Sequence, residues 1–154
     1  MPRVFSPTVT RATLEPDLDP AAYPFLHRVR ARFAETDAMG VVHHAAYLPW
    51  LEEARVAYLR NLGRPYPEVR ATGLDLAVIE AHVAYRGAAR FDDVIDVRLA
   101  LGAVRGSTFQ IAYLLTRGDH PIATAVTVHA CLDAATGRPV RAPAWLSGRT
   151  TTLR

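Results

Sequence analysis

Residues 33–63 read F-A-E-T-D-A-M-G-V-V-H-H-A-A-Y-L-P-W-L-E-E-A-R-V-A-Y-L-R-N-L-G, and the rest of the chain is placed by reference to them. Thr36-Asp37-Ala38-Met39-Gly40 is a polar turn carrying a glycine. The residues beyond this turn have a helical period. Tyr47, Leu51, Ala54, Tyr58 and Leu62 recur at spacings of four, three, four and four, which draws one apolar stripe flanked by Leu48, Arg55 and Leu59. Pro49 fits a helix only in its first turn, and Gly63 followed by Pro65 and Pro67 ends one. The pattern predicts a single long helix over residues 46–62.

On the N-terminal side, residues 27–35 alternate, with Val29, Ala31 and Phe33 on one face and Arg28, Arg30 and Arg32 on the other, as a half-exposed strand does. Residues 1–24 contain five of the eleven prolines and no sustained period, and read as an extended arm on a domain spanning 25–146. Residues 147–154 are read as a tail. After the helix, residues 74–85, 93–101, 108–117 and 121–132 alternate as strands, punctuated by Gly87, Gly102 with Gly106, and Gly118-Asp119. Short connections suggest an antiparallel meander. One helix covers one face of a five-stranded sheet, yet the last strand is apolar or small on both faces. Its second face therefore needs a cover, and a homo-oligomer is expected to supply it.

Composition narrows the function. The chain has 154 residues, enough for one domain, with 50% hydrophobic and 21% charged residues. All 18 basic residues are Arg, and the formal net charge is +3. They are spread along the chain, so no nucleic-acid stripe is indicated, although an anionic ligand such as a phosphate-bearing coenzyme is compatible. The single cysteine, Cys131, excludes a disulfide framework and a multi-Cys metal site, and its strand setting suggests a buried thiol. No run approaches membrane-spanning length and no signal-like apolar core opens the chain, which makes the cytoplasm the expected compartment.

The stretch 33–63 closely resembles the signature of the 4-hydroxybenzoyl-CoA thioesterase family, including its Tol–Pal-associated acyl-CoA thioesterases. Asp37, Gly40, Val41, Val42, His44 and Tyr47 match in register, as do Glu52, Ala54 and Arg55. Y-R-G-A-A-R-F-D-D-V at 85–94 and V-H-A-C-L-D-A-A-T-G-R-P at 128–139 resemble later motifs of the same family. His43, Ala46 and Ala88 depart from it. The resemblance implies an α+β hotdog fold, a five-stranded antiparallel sheet wrapped around one long helix, assembled as a dimer or tetramer. It also implies acyl-CoA thioester hydrolysis without a cofactor. Asp37 would be nucleophile or general base, the main-chain N–H of His44 the oxyanion donor, and Gly40, Val42, His43 and Tyr47 substrate contacts.

The chemistry is coherent on its own terms. A thioester carbonyl needs a base or nucleophile on one side and donors for its developing oxyanion on the other. Unsatisfied N–H groups at a helix N-terminus supply the second. Taken singly, Asp37 reads as a turn aspartate, Tyr47 as helix core, and His82 and His129 as satisfied structural histidines. The adjacent His43-His44 pair lacks an acidic partner for a metal. Glu52 and Glu53, the candidates if the carboxylate were on the helix, read as surface charges. A carrier-protein thioester as substrate, or an acyl-CoA-binding protein without turnover, remain alternative readings.

Overall fold

The computed structural model describes residues 10–153. Five strands, β1 (Phe25–Arg30), β2 (Leu74–Tyr85), β3 (Val94–Arg105), β4 (Thr108–Arg117) and β5 (His120–Asp133), form one antiparallel sheet in the order β1-β3-β4-β5-β2. One long helix, α1 (Tyr47–Asn61), packs against it. Two short helices, α2 (Tyr66–Ala71) and α3 (Ala144–Ser147), complete the elements. This is the hotdog arrangement expected from the sequence.

The helix forms where its stripe runs. Tyr47, Leu51, Ala54 and Tyr58 are buried, together with Trp50 and Leu59 beside them. They share one core with Ile95, Val97, Leu99 and Leu101 of β3 and Phe109, Ile111, Tyr113 and Leu115 of β4, the apolar faces that the alternation of residues 93–101 and 108–117 defines. A fully buried Leu or Ile contributes roughly 1.5–3 kcal/mol of transfer free energy, so this layer supplies much of the fold's stability.

Four local expectations are corrected. The first strand stops at Arg30, and residues Phe33–Glu35 turn as a 3-10 segment that leaves Phe33 75% exposed rather than on the inner face. The helix α2 is not expected from the sequence, because Pro65 and Pro67 read as terminators although a proline is compatible with a helix's first turn. The alternation of residues 74–85 puts Ala77, Ile79, Ala81, Val83 and Tyr85 on one face, but in β2 the register shifts between Val78 and Glu80, so Ile79 is extra and Ala77 lies on the face opposite Ala81, Val83 and Tyr85. Finally, only β3-β4-β5 is a meander. β2 pairs with β5 at the far edge, and residues 86–93 cross back along the end of the sheet.

That crossover is bonded to every element it passes. Gly87 N–H donates to Ile122 O, Val42 N–H to Ala89 O, Arg117 Nη1 to Ala88 O, and Ala31 N–H to Asp93 O.

The outer face of the sheet is covered within one chain. Tyr23, Ala22, Leu14 and Leu153 pack on Ala100, Ala112 and Leu114. Gln110, buried on this face, accepts from Thr13 N–H (2.8 Å) and Leu14 N–H (3.2 Å) and donates to Arg11 O (2.8 Å). Gly102 admits this layer: a Cβ there would meet Leu14 Cδ2 at 3.2 Å and Thr151 O at 3.4 Å. The arm therefore supplies the cover that the sequence pattern leads one to expect from a second subunit. Among the described residues, no helix is long and apolar enough to cross a membrane.

Candidate active site

The turn after β1 closes tightly. Thr36 bridges to Val42, Asp37 N–H donates to Val41 O (2.9 Å), and Gly40 N–H donates to Asp37 O (3.0 Å). Gly40 sits at φ +73°, a conformation that costs a side-chain-bearing residue roughly 1–2 kcal/mol. Asp37 is half-buried. Its Oδ1 accepts from Met39 N–H at 2.8 Å, while Oδ2 has no hydrogen-bond partner among the described residues. Asp37 thus does the turn work of an ordinary aspartate with one oxygen and keeps the other available.

The turn is fastened to the helix. Trp50 Nε1 donates to Glu35 Oε1 (3.1 Å), and Arg32 N–H donates to Glu35 Oε2 (2.8 Å). Burial pushes the Glu35 carboxyl upward, but these bonds outweigh it and hold the group below its ordinary value.

Helical structure begins with a 3-10 turn, His44–Ala46, that runs straight into α1. His43 caps it: its Nδ1 accepts from Ala45 N–H at 3.1 Å. The His44 N–H has no acceptor among the described residues. It stands at the positive end of the helical macrodipole, where a carbonyl oxygen is polarised. The peptide that comes next is held from outside, since Tyr85 Oη donates to His44 O at 2.8 Å. Tyr85 also meets Tyr47 edge-on, with ring centroids 5.1 Å apart.

Asp37, Val42, His44 and Tyr47 line one cleft of about 250 Å³, open to solvent, with Tyr85 and Gly87 opposite. The structure thus brings together four of the six residues singled out from the sequence. Gly40 and His43 do not line the cleft; they shape the turn and cap the helix. Tyr85, Gly87 and Ala88 are not in that set, although the 85–94 motif marks their segment. The cleft thus brings a carboxylate with one oxygen unbonded among the described residues to the same opening as the first residue of the helical segment.

Other candidates sort clearly. Glu53 pairs with His27 at 2.8 Å. Cys131 is buried and free, and burial pushes its thiol up to about 11. Among the described residues no group of three or more His, Cys, Asp and Glu is placed to hold a metal. His129 departs from the satisfied role expected of it: it is fully buried, and its Nδ1 has no partner.

Fold and relatives together define a hotdog protein of the thioester hydrolase class. Residues 31–149 match the thioesterase-like superfamily, and the chain belongs to that family. It is 33% identical over 120 residues to the acyl-CoA thioesterase YbgC of Haemophilus influenzae, covering 77% of this chain and 88% of that one. It is 32% identical over 122 residues to the 1,4-dihydroxy-2-naphthoyl-CoA hydrolase of Synechococcus elongatus, covering 75% and 89%. Among solved structures, a protein of Aquifex aeolicus superposes with a TM-score of 0.78 at 35% identity, over 83% of this chain and all of that one.

Proposed function

We propose that the protein hydrolyses acyl-CoA thioesters, with Asp37 as the catalytic carboxylate and the His44 N–H as oxyanion donor. The observation that carries this reading is that Asp37, one of whose oxygens has no partner among the described residues, and His44, the first residue of the helical segment, line one cleft. The thioester oxygen is placed at the His44 N–H, where charge developing on it is stabilised without any reorganisation. Asp37 either attacks the carbonyl carbon, expelling the thiolate and forming an acyl anhydride that water then hydrolyses to free acid and Asp37, or it removes a proton from a water that attacks directly, whereupon the acyl–sulfur bond breaks to give free acid and the thiolate takes up the proton. Gly40, Val42, His43 and Tyr47 serve the substrate in two ways: Val42 and Tyr47 as walls, Gly40 and His43 by shaping the turn and the cap. The acyl-CoA activity of the Haemophilus and Synechococcus relatives supports coenzyme A as the thiol. No cofactor enters this scheme.

The working form is proposed to be a homo-oligomer, dimer or tetramer, built through β2. That edge strand leaves Val78, Ile79 and Tyr85 substantially exposed, and the outer face is already covered. Hydrolysis of an acyl-CoA panel, followed by thiol release with DTNB, tests the activity. Binding without turnover in the wild type would overturn it. A mass of 16.9 kDa by light scattering would overturn the oligomer.

A further inference from the structure

Residues 35–43 fold back on themselves as a narrow hairpin, and Glu35 closes its neck. His43 N–H donates to Glu35 O at 2.7 Å, Thr36 bridges to Val42, and Asp37 N–H donates to Val41 O at 2.9 Å. Asp37 lies two residues inside the neck and His44 one residue beyond it, and both line the cleft. A residue spans about 3.3–3.6 Å at full extension, so segments this short absorb little displacement. A shift at the neck therefore moves Asp37 against the start of the helical segment.

The side chain of the same residue ties the neck to α1. Glu35 Oε1 accepts from Trp50 Nε1 at 3.1 Å and from Arg32 Nη2 at 2.9 Å, and Oε2 accepts from Arg32 N–H at 2.8 Å. The Glu35 side chain is 10% exposed, whereas that of Arg32 is 76% exposed, so the ion pair between them contributes little. The sheltered bond is the one to Trp50, a buried residue whose ring stands 5.1 Å from that of Tyr47, a wall of the cleft. Burial pushes the Glu35 carboxyl up, but its bonds outweigh this and keep it ionised. Two acceptor oxygens thus meet N–H donors on both sides, where an amide would turn its NH2 against one of them. Neither Glu35 nor Trp50 lines the cleft.

We propose that Glu35 is a positioning residue for thioester hydrolysis. Its main-chain carbonyl holds the neck, and its carboxylate, through Trp50, locks the neck to the first turn of α1. Asp37 and the start of the helical segment are thereby kept in one fixed relation. Glu35 touches neither substrate nor reacting atoms. The inference rests on the thioesterase reading.

The test uses an acyl-CoA that the wild type turns over in the DTNB assay. Trp50→Phe removes the donor and keeps an aromatic ring; Glu35→Gln keeps the length and one acceptor. Each is expected to lower kcat about ten- to a hundredfold, since a misplacement of about 1 Å can cost about 10²-fold, with KM within about twofold. The double variant should be no slower than the slower single, because both changes cut one link. Arg32→Ala keeps its N–H and should stay within about twofold of wild type. Rates are taken well below each variant's melting temperature, where a residue that only stabilised the fold would leave kcat untouched. Wild-type kcat in a folded single variant, effects that multiply in the double, or a change confined to KM would overturn the proposal. Should one single variant not fold, the other decides. If the wild type hydrolyses no acyl-CoA, the thioesterase reading fails instead. Positioning is then read from exchange of the Asp37 and His43 amides, which both variants should accelerate while the β4 amides keep their protection. Unchanged exchange at both would overturn it.

Discussion

Tyr85 Oη donates to the carbonyl oxygen of His44 at 2.8 Å, so the edge strand β2 grips the 3-10 turn that runs into α1. The bond fixes the helix start against the strand. Tyr85→Phe keeps the edge contact with Tyr47 and removes the grip. A net hydrogen bond is worth about 0.5–1.5 kcal/mol, so kcat is expected to fall about two- to tenfold. KM should change less, because the ring remains. A steady-state comparison with wild type checks this.

Asp37→Ala should abolish thioester hydrolysis and leave the fold intact. The lost turn bond to Met39 N–H is comparable to a capping interaction, about 0.5–2 kcal/mol, which shifts the melting temperature by a few degrees. Thiol release and thermal melting, measured on one preparation, check both halves. Retention of more than a tenth of turnover would move attention to Glu52 and Glu53.

His44 separates a backbone role from an imidazole role. His44→Ala keeps the N–H and should reduce turnover tenfold at most. His44→Pro deletes the donor, and the loss of one such group typically lowers the rate by about 10²–10³. Circular dichroism and light scattering must show that the proline variant folds and assembles. If alanine were as damaging as proline in folded protein, the imidazole would be the active group.

The arm carries a titratable anchor. The Glu80 carboxylate accepts from His82, Arg11 N–H and Thr10 Oγ1, and these bonds, the one from His82 foremost, bring it down from 4.5 to about 2. A lowered carboxylate contributes its attachment fully above its unfolded value and loses it as the pH falls toward the folded one. Between about pH 4.5 and 2, the Arg11 amide should therefore lose protection. The Thr13 and Leu14 amides, bonded to the uncharged Gln110, should respond less. Amide exchange across that window checks the order, and Glu80→Gln should remove the Arg11 step.

The helix, the inner faces of β3 and β4, and the Asp37 turn are legible in the sequence, because each is written in local period or turn chemistry. The place of β2 is not. Strand order depends on how residues 86–93 travel, and no local pattern encodes a route. Ile79 fits the alternation of its neighbours, so the bulge that displaces it leaves no mark in the pattern. Arg55 and His129 read as a flanking charge and a satisfied strand histidine. Only the burial of one nitrogen of each, Arg55 Nη1 and His129 Nδ1, without a hydrogen bond among the described residues shows otherwise, and that is a tertiary property.

The route of residues 86–93 also sets the order in which the protein can assemble. The hairpins β3–β4 and β4–β5 join neighbours in sequence and close cheaply in chain entropy. The bonds of Val42 to Ala89 and of Ala31 to Asp93 join segments some fifty to sixty residues apart and close at a larger cost in chain entropy. On refolding from denaturant, sheet should return first and catalytic competence later. A species with most of its circular dichroism and none of its turnover is the expected kinetic intermediate.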